Sequence, residues 1–111
     1  MSPSIPPSLR PALEAYAARL RAAFGDRLEE VRLFGSFARG EANDDSDVDV
    51  LVLIREMTDR EMGIAVGEAA SVIVETGLPL APIAMSTARL ELLRRQEGSF
   101  ARALDEEGLS V

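Results

Sequence analysis

Asp47 and Asp49 stand two residues apart at the head of an otherwise apolar run, Val48-Asp49-Val50-Leu51-Val52-Leu53-Ile54. On a strand, that spacing points both side chains to one face. Two carboxylates side by side repel unless a cation lies between them. Oxygen ligands paired in this way suit Mg2+ or Mn2+, and such an ion bridges the phosphates of a substrate. The pair also reads as the polar start of a strand beside an acidic loop, because Asp44 and Asp45 lie just upstream.

Upstream of the pair stands Gly35-Ser36, directly after an apolar segment. A Gly-Ser step at the end of a strand lets backbone and hydroxyl approach a phosphate closely, and it is equally at home in a plain turn. Arg39 continues the loop. Its guanidinium can fork onto a phosphate oxygen or pair with a neighbouring acid.

The elements that must position these groups follow from periodicity. Leu9, Leu13, Tyr16, Ala17, Leu20 and Phe24 recur at helical spacing, with Ser8 as a cap, Pro11 in the first turn and Gly25 as the stop. Residues 28–34 alternate as a strand, 35–46 form a loop, and 47–54 form a second strand whose apolar tail suits a central position. Thr58 and Glu61 make a capping box for a long helix ended by Gly77, with Met62, Val66, Ala69 and Ile73 expected on its buried face. Leu80 to Met85 reads as a third strand, placed at an edge by Pro82. Ser86 or Thr87 caps a helix carrying Leu90 and Leu93, and Gly98-Ser99 breaks it. Phe100, Ala103 and Leu104 belong to a last short helix, and residues 109–111 to a terminal strand. The order α-β-β-α-β-α implies an α+β fold, a small mixed sheet covered mainly on one face. The Pro- and Ser-rich residues 1–7 read as a flexible arm and residues 8–111 as a single domain.

Composition narrows the chemistry. The 111 residues carry 19 acids against 12 bases, a net charge of −7, which argues against non-specific nucleic-acid binding and against a basic membrane-surface helix. Neither cysteine nor histidine is present. Thiolate chemistry, histidine acid–base work and Ser-His-Asp triads are therefore excluded. The single Tyr16 sits mid-helix at an apolar-periodic position and reads as a core-edge aromatic, not a nucleophile. The stripe Leu90-Glu91-Leu92-Leu93-Arg94-Arg95 reads as core packing, with a partner groove as the other use. No apolar run reaches the ~20 residues of a membrane span, and the start of the chain resembles no leader, so a cytoplasmic protein is expected.

Taken together, Gly35-Ser36-Phe37-Ala38-Arg39-Gly40 followed by Ser46-Asp47-Val48-Asp49-Val50-Leu51-Val52 resembles the DNA-polymerase-β-type nucleotidyltransferase superfamily, and within it the minimal nucleotidyltransferases. The resemblance implies the nucleotidyltransferase fold. It implies that Gly35 and Ser36 hold the triphosphate of an NTP, expected to be ATP, with Arg39 and Ser46 also on the nucleotide. Asp47 and Asp49 are the implied catalytic pair, coordinating Mg2+ or Mn2+ while an acceptor hydroxyl attacks the α-phosphorus and pyrophosphate leaves. It further implies transfer of AMP to a partner protein of the HEPN type in a toxin–antitoxin-like pair.

The sequence departs from the pattern on the third strand. There, active members carry a further acid that completes the metal site and helps deprotonate the acceptor. Leu80-Ala81-Pro82-Ile83-Ala84-Met85 has none, and the nearest earlier acid, Glu75, falls near the end of the long helix. Two other readings stand beside the enzyme: a degenerate nucleotide- or partner-binding module, and a subunit of a small-molecule, aminoglycoside-type nucleotidyltransferase whose acidic surface suits a cationic substrate. The edge strand and the stripe on the last helices also suggest a homodimer.

Overall fold

A computed structural model describes residues 4–43, 45–96 and 99–111, without the side chains of Phe100 and Ala103. The expected roles of Asp44, of Gly98 as a helix break, and of those two side chains lie outside the described residues. The elements run α1 (Arg10–Phe24), β1 (Leu28–Phe34), α2 (Gly35–Arg39), β2 (Val48–Ile54), α3 (Asp59–Thr76), β3 (Leu80–Met85), α4 (Thr87–Arg95), α5 (Ser99–Glu107) and β4 (Leu109–Ser110). A short 3-10 turn, Gly25–Arg27, joins α1 to β1.

The sheet has the order β3-β2-β1-β4. β1 pairs antiparallel with both β2 and β4, and β2 pairs parallel with β3. The doubly apolar β2 is central, as its composition requires, and the proline-bearing β3 is an edge. Alternation along β2 divides the core. Val48, Val50, Val52 and Ile54 face α1 and α3, packing with Leu13, Tyr16, Leu20, Ala65, Ala69 and Val72. Leu51 and Leu53 face the other way, onto Leu90 of α4 and Ala101 and Leu104 of α5. Helices thus cover the first face heavily and the second face in part.

Local signals account for most boundaries. In α3 the capping box forms as expected: the Glu61 amide donates to Thr58 Oγ1 at 3.2 Å, and the Thr58 amide donates to Glu61 Oε1 at 3.0 Å. Gly77, at φ +74°, closes the helix in the left-handed region. Ser86, not Thr87, caps α4, accepting from the Arg89 amide at 3.1 Å. Val111 extends β4, its amide donating to the Val31 carbonyl at 2.9 Å.

Five expectations are corrected. α1 begins after Leu9, and Ser8 does not cap it; the Leu9 amide instead donates to the Pro6 carbonyl in a preceding turn. Ile5, in the segment read as an arm, is buried in the first core. The loop after β1 opens with the short helix α2, whose Ala38 is buried against that core. The buried face of α3 is rotated from the expected one. It keeps Ala69 buried and Ile73 against the core as expected, adds Ala65 and Val72, and leaves Met62 and Val66 42% and 48% exposed. The small Ala65 and Ala69 let α3 approach α1 closely, and the Tyr16 hydroxyl donates to the Ala65 carbonyl at 2.8 Å. That bond satisfies a fully buried hydroxyl, so Tyr16 is a core residue, deeper than the edge position expected.

Candidate active site

The Asp pair sits where β2 enters the sheet, on the second face, beyond the part covered by α4 and α5. Asp49 pairs in register with Phe34, the last residue of β1, so the turn from β1 into α2 passes directly over it. Gly35 makes that turn at φ +73°, in the left-handed region that favours glycine. A Cβ placed on Gly35 would overlap Oδ2 of Asp49 and lie 3.1 Å from its Cγ. Glycine is therefore required twice, for backbone conformation and for space, and the space belongs to a carboxylate.

Asp47 is exposed one residue before β2, and Asp49 is half-buried. The pKa of Asp49 is raised, first by burial and then by the charge of Asp47, while Arg39 pulls it down. No hydrogen bond or ion pair reaches either carboxylate among the described residues. Two neighbouring like-charged carboxylates, with the nearby Arg39 already paired to Glu41 and Glu107, make a donor set that fits a hard divalent ion.

The other expected site residues gather at the same end of the sheet in different engagements. Ser36 opens α2, and its carbonyl accepts from the Glu41 amide at 2.9 Å, closing the helix back on itself beyond Gly40. Arg39 is held away from phosphate-like duty. Its Nε donates to Glu41 at 3.0 Å and its Nη1 to Glu107 at 3.2 Å, and these bonds raise the guanidinium above its ordinary pKa. Ser46 shapes the loop: its Oγ accepts from the Asn43 amide at 2.9 Å, and Asn43 Oδ1 accepts from the Asp45 amide at 2.9 Å. The Asn43 turn was visible in principle, because Asn and Ser three apart are a local turn signal. Glu107 was not, since 68 residues separate it from Arg39.

The parallel register with β3 sets Ala81 beside Asp49 and Ile83 beside Leu51. The strand neighbour of Asp49 is thus a methyl group, and Ile83 is 38% exposed. Glu75 does not substitute. It pairs with Arg19 on the opposite face of the sheet, in a cluster with Glu68. Among the described residues no group of three or more acids is placed to hold a metal ion.

Residues 14–108 match the nucleotidyltransferase domain family. The chain belongs to that family. Among curated relatives, the chain is 51% identical over 45 residues to the protein adenylyltransferase MntA of Thermococcus cleftensis, a match covering 40% of this chain and 43% of that protein. A relative from Methanocaldococcus jannaschii is 59% identical over 32 residues, 29% of this chain and 32% of its own. The chain thus spans less than half the length of these two relatives. The fold also matches a crystal structure of a toxin–antitoxin with AMP-PNP, at TM-score 0.56 and 20% identity over 87% of this chain and 70% of that one. It is a minimal nucleotidyltransferase domain similar to the MntA type. No helix among the described residues is long and apolar enough to cross a membrane.

Proposed function

We propose that residues 8–111, with Ile5 packed into their core, form one domain that binds an NTP, ATP first, with Mg2+ or Mn2+ and transfers its nucleotidyl group to a hydroxyl of a partner protein. The observation that carries this reading is the cradle at Gly35. A glycine in the left-handed conformation makes room for the Asp49 carboxylate beside Asp47, and no hydrogen bond or ion pair reaches either acid among the described residues.

Asp47 and Asp49 would hold the cation. A bound divalent ion supplies neutralisation of the charge that builds on phosphate oxygens. The Gly35-Ser36 turn, with no side chain in the way, lets the triphosphate come against the backbone and the Ser36 hydroxyl. Arg39, now paired with Glu41 and Glu107, would exchange these carboxylates for phosphate oxygens. Ser46 keeps the loop before Asp47 in shape. The acceptor oxygen bonds to the α-phosphorus, the bond to the pyrophosphate oxygen breaks, and the acceptor proton leaves to a base outside this chain. A partner of the HEPN type in a toxin–antitoxin-like pair fits as acceptor, in the cytoplasm where NTP is available. The MntA-type relatives support this reading.

Incubation with labelled ATP, Mg2+ and the cognate partner should label the partner. Folded protein at saturating metal that transfers no label would overturn the enzyme reading. A second reading, a nucleotide- or partner-binding module without transfer, is favoured by Ala81, which leaves no third carboxylate beside Asp49. Calorimetry separates the two. An Asp47→Asn/Asp49→Asn variant that loses ATP·Mg2+ yet binds and neutralises the partner unchanged supports the module.

A further inference from the structure

Four of the exposed large apolar side chains lie on α3: Met62, Ile64, Val66 and Val74, the last 87% exposed. Between Glu61 and Glu75 this helix carries a single charge, Glu68, which is bonded to Arg19. Between those two acids its outward face is therefore uncharged in a chain of net charge −7, so a second copy meets little like charge here. Along the centre of that face run Gly63, Gly67, Ala70 and Val74, all exposed and spaced as one helix seam. A Cβ on Gly63 or Gly67 would meet nothing within 4 Å. Glycine is the poorest helix former after proline, so these two positions weaken α3 for no reason found inside the chain.

We propose that α3 packs against α3 of a second copy of this chain, antiparallel about a two-fold axis. The sizes along the seam set the direction. With the axis between Glu68 and Ala69, Val74 meets Gly63 and Ala70 meets Gly67, each contact made twice. A parallel pairing would set valine on valine and glycine on glycine. Charge agrees with size. Arg60 has no ion-pair partner among the described residues, and the antiparallel arrangement lays it over the last turn of the second helix. That turn has no basic residue of its own and is the negative end of the helix dipole, its Glu75 being paired with Arg19 of the same copy. A two-fold pairing also brings the same flank of each helix together. Ile64 of one copy then lies over a cavity of about 370 Å³ lined by Arg19, Ala70, Ser71, Val74 and Glu75 of the other. Because α3 covers the first face of the sheet, the Asp47–Asp49 end stays open on both copies.

Sedimentation equilibrium of the whole chain, from low to high micromolar, tests the pairing. The wild type should be a reversible dimer. Gly67→Arg and Val74→Glu should both be monomers with unchanged far-UV circular dichroism. Gly67→Arg enters open space with a better helix former, so its fold is safe. Gly63→Val should weaken the dimer on the order of tenfold or more, and Gly63→Val/Val74→Gly should recover most of the loss. A wild type monomeric throughout overturns the proposal. So does a dimer that survives both charged substitutions, or an α3 face that only a different protein occupies.

Discussion

The two faces of the sheet are built on different terms. On the first, α1 and α3 close over Val48, Val50, Val52 and Ile54, and the buried hydroxyl of Tyr16 is hydrogen-bonded. On the second, Leu51 and Leu53 are covered, but the strand end beside them carries Asp49 under the turn at Gly35. Arg32 also lies on this face, half-buried, donating to the Leu104 carbonyl at 2.9 Å and paired with Glu30. The first face thus stores the stability. The second accepts polar groups and a like-charge pair, and an energetic cost of that kind is retained where a site needs it.

The contrast can be broken most directly on the first face. Leu13→Ala, in the fully buried centre, should cost about 3 kcal/mol in denaturant unfolding. A cost near zero would mean that the first face is not the main store of stability. Gly35→Ala comes next. The left-handed backbone alone should cost about 1–2 kcal/mol, and the displaced Asp49 should abolish ATP·Mg2+ binding in calorimetry, joining stability and site in one residue. Tyr16→Phe should cost about 1 kcal/mol by the same unfolding measurement, through the lost bond to Ala65.

Charge effects are smaller and of opposite sign on the two faces. The pKa of Asp49 is raised on folding, so its contribution favours the fold at low pH and is lost as pH rises through the folded value. Asp49→Asn should therefore raise the melting temperature at neutral pH while removing metal binding. A fall in melting temperature would show that Asp49 is a structural residue. Glu61 behaves in the opposite way. Its bonds to Arg27, and then to Thr58, lower its pKa from 4.5 to about 2. Its stabilisation is present above the unfolded value and is lost as pH falls from about 4.5 to about 2. Glu61→Gln should flatten the melting-temperature profile across that window.

Much of this architecture was legible because it is locally encoded. The apolar strand, the Thr58–Glu61 box, the glycine stops and the proline edge each act within a few residues, and each stands where the sequence placed it. The Gly35-Ser36 and Asp47-x-Asp49 pattern was legible for the same reason. The exceptions that depend on tertiary packing share one cause. Met62 and Val66 fit a helical stripe as well as Ala65, Ala69 and Val72 do, and only the approach of Tyr16 from α1 selects which stripe is buried. The engagement of Arg39 by Glu107 depends on how α5 returns across the sheet.

The amino-acid order by itself determined the long helices and the strands, the Thr58–Glu61 cap, the central strand and the candidate chemistry of two aspartates, because backbone preferences and alternation act over short range. The tertiary structure decided how those pieces meet. It seated the Asp49 carboxylate in the space that Gly35 leaves empty, put a methyl group beside it on β3, sent Glu75 to the opposite face, and left an apolar side of α3 in solvent. Each of these depends on register and helix rotation, which are set by packing between segments far apart in the chain.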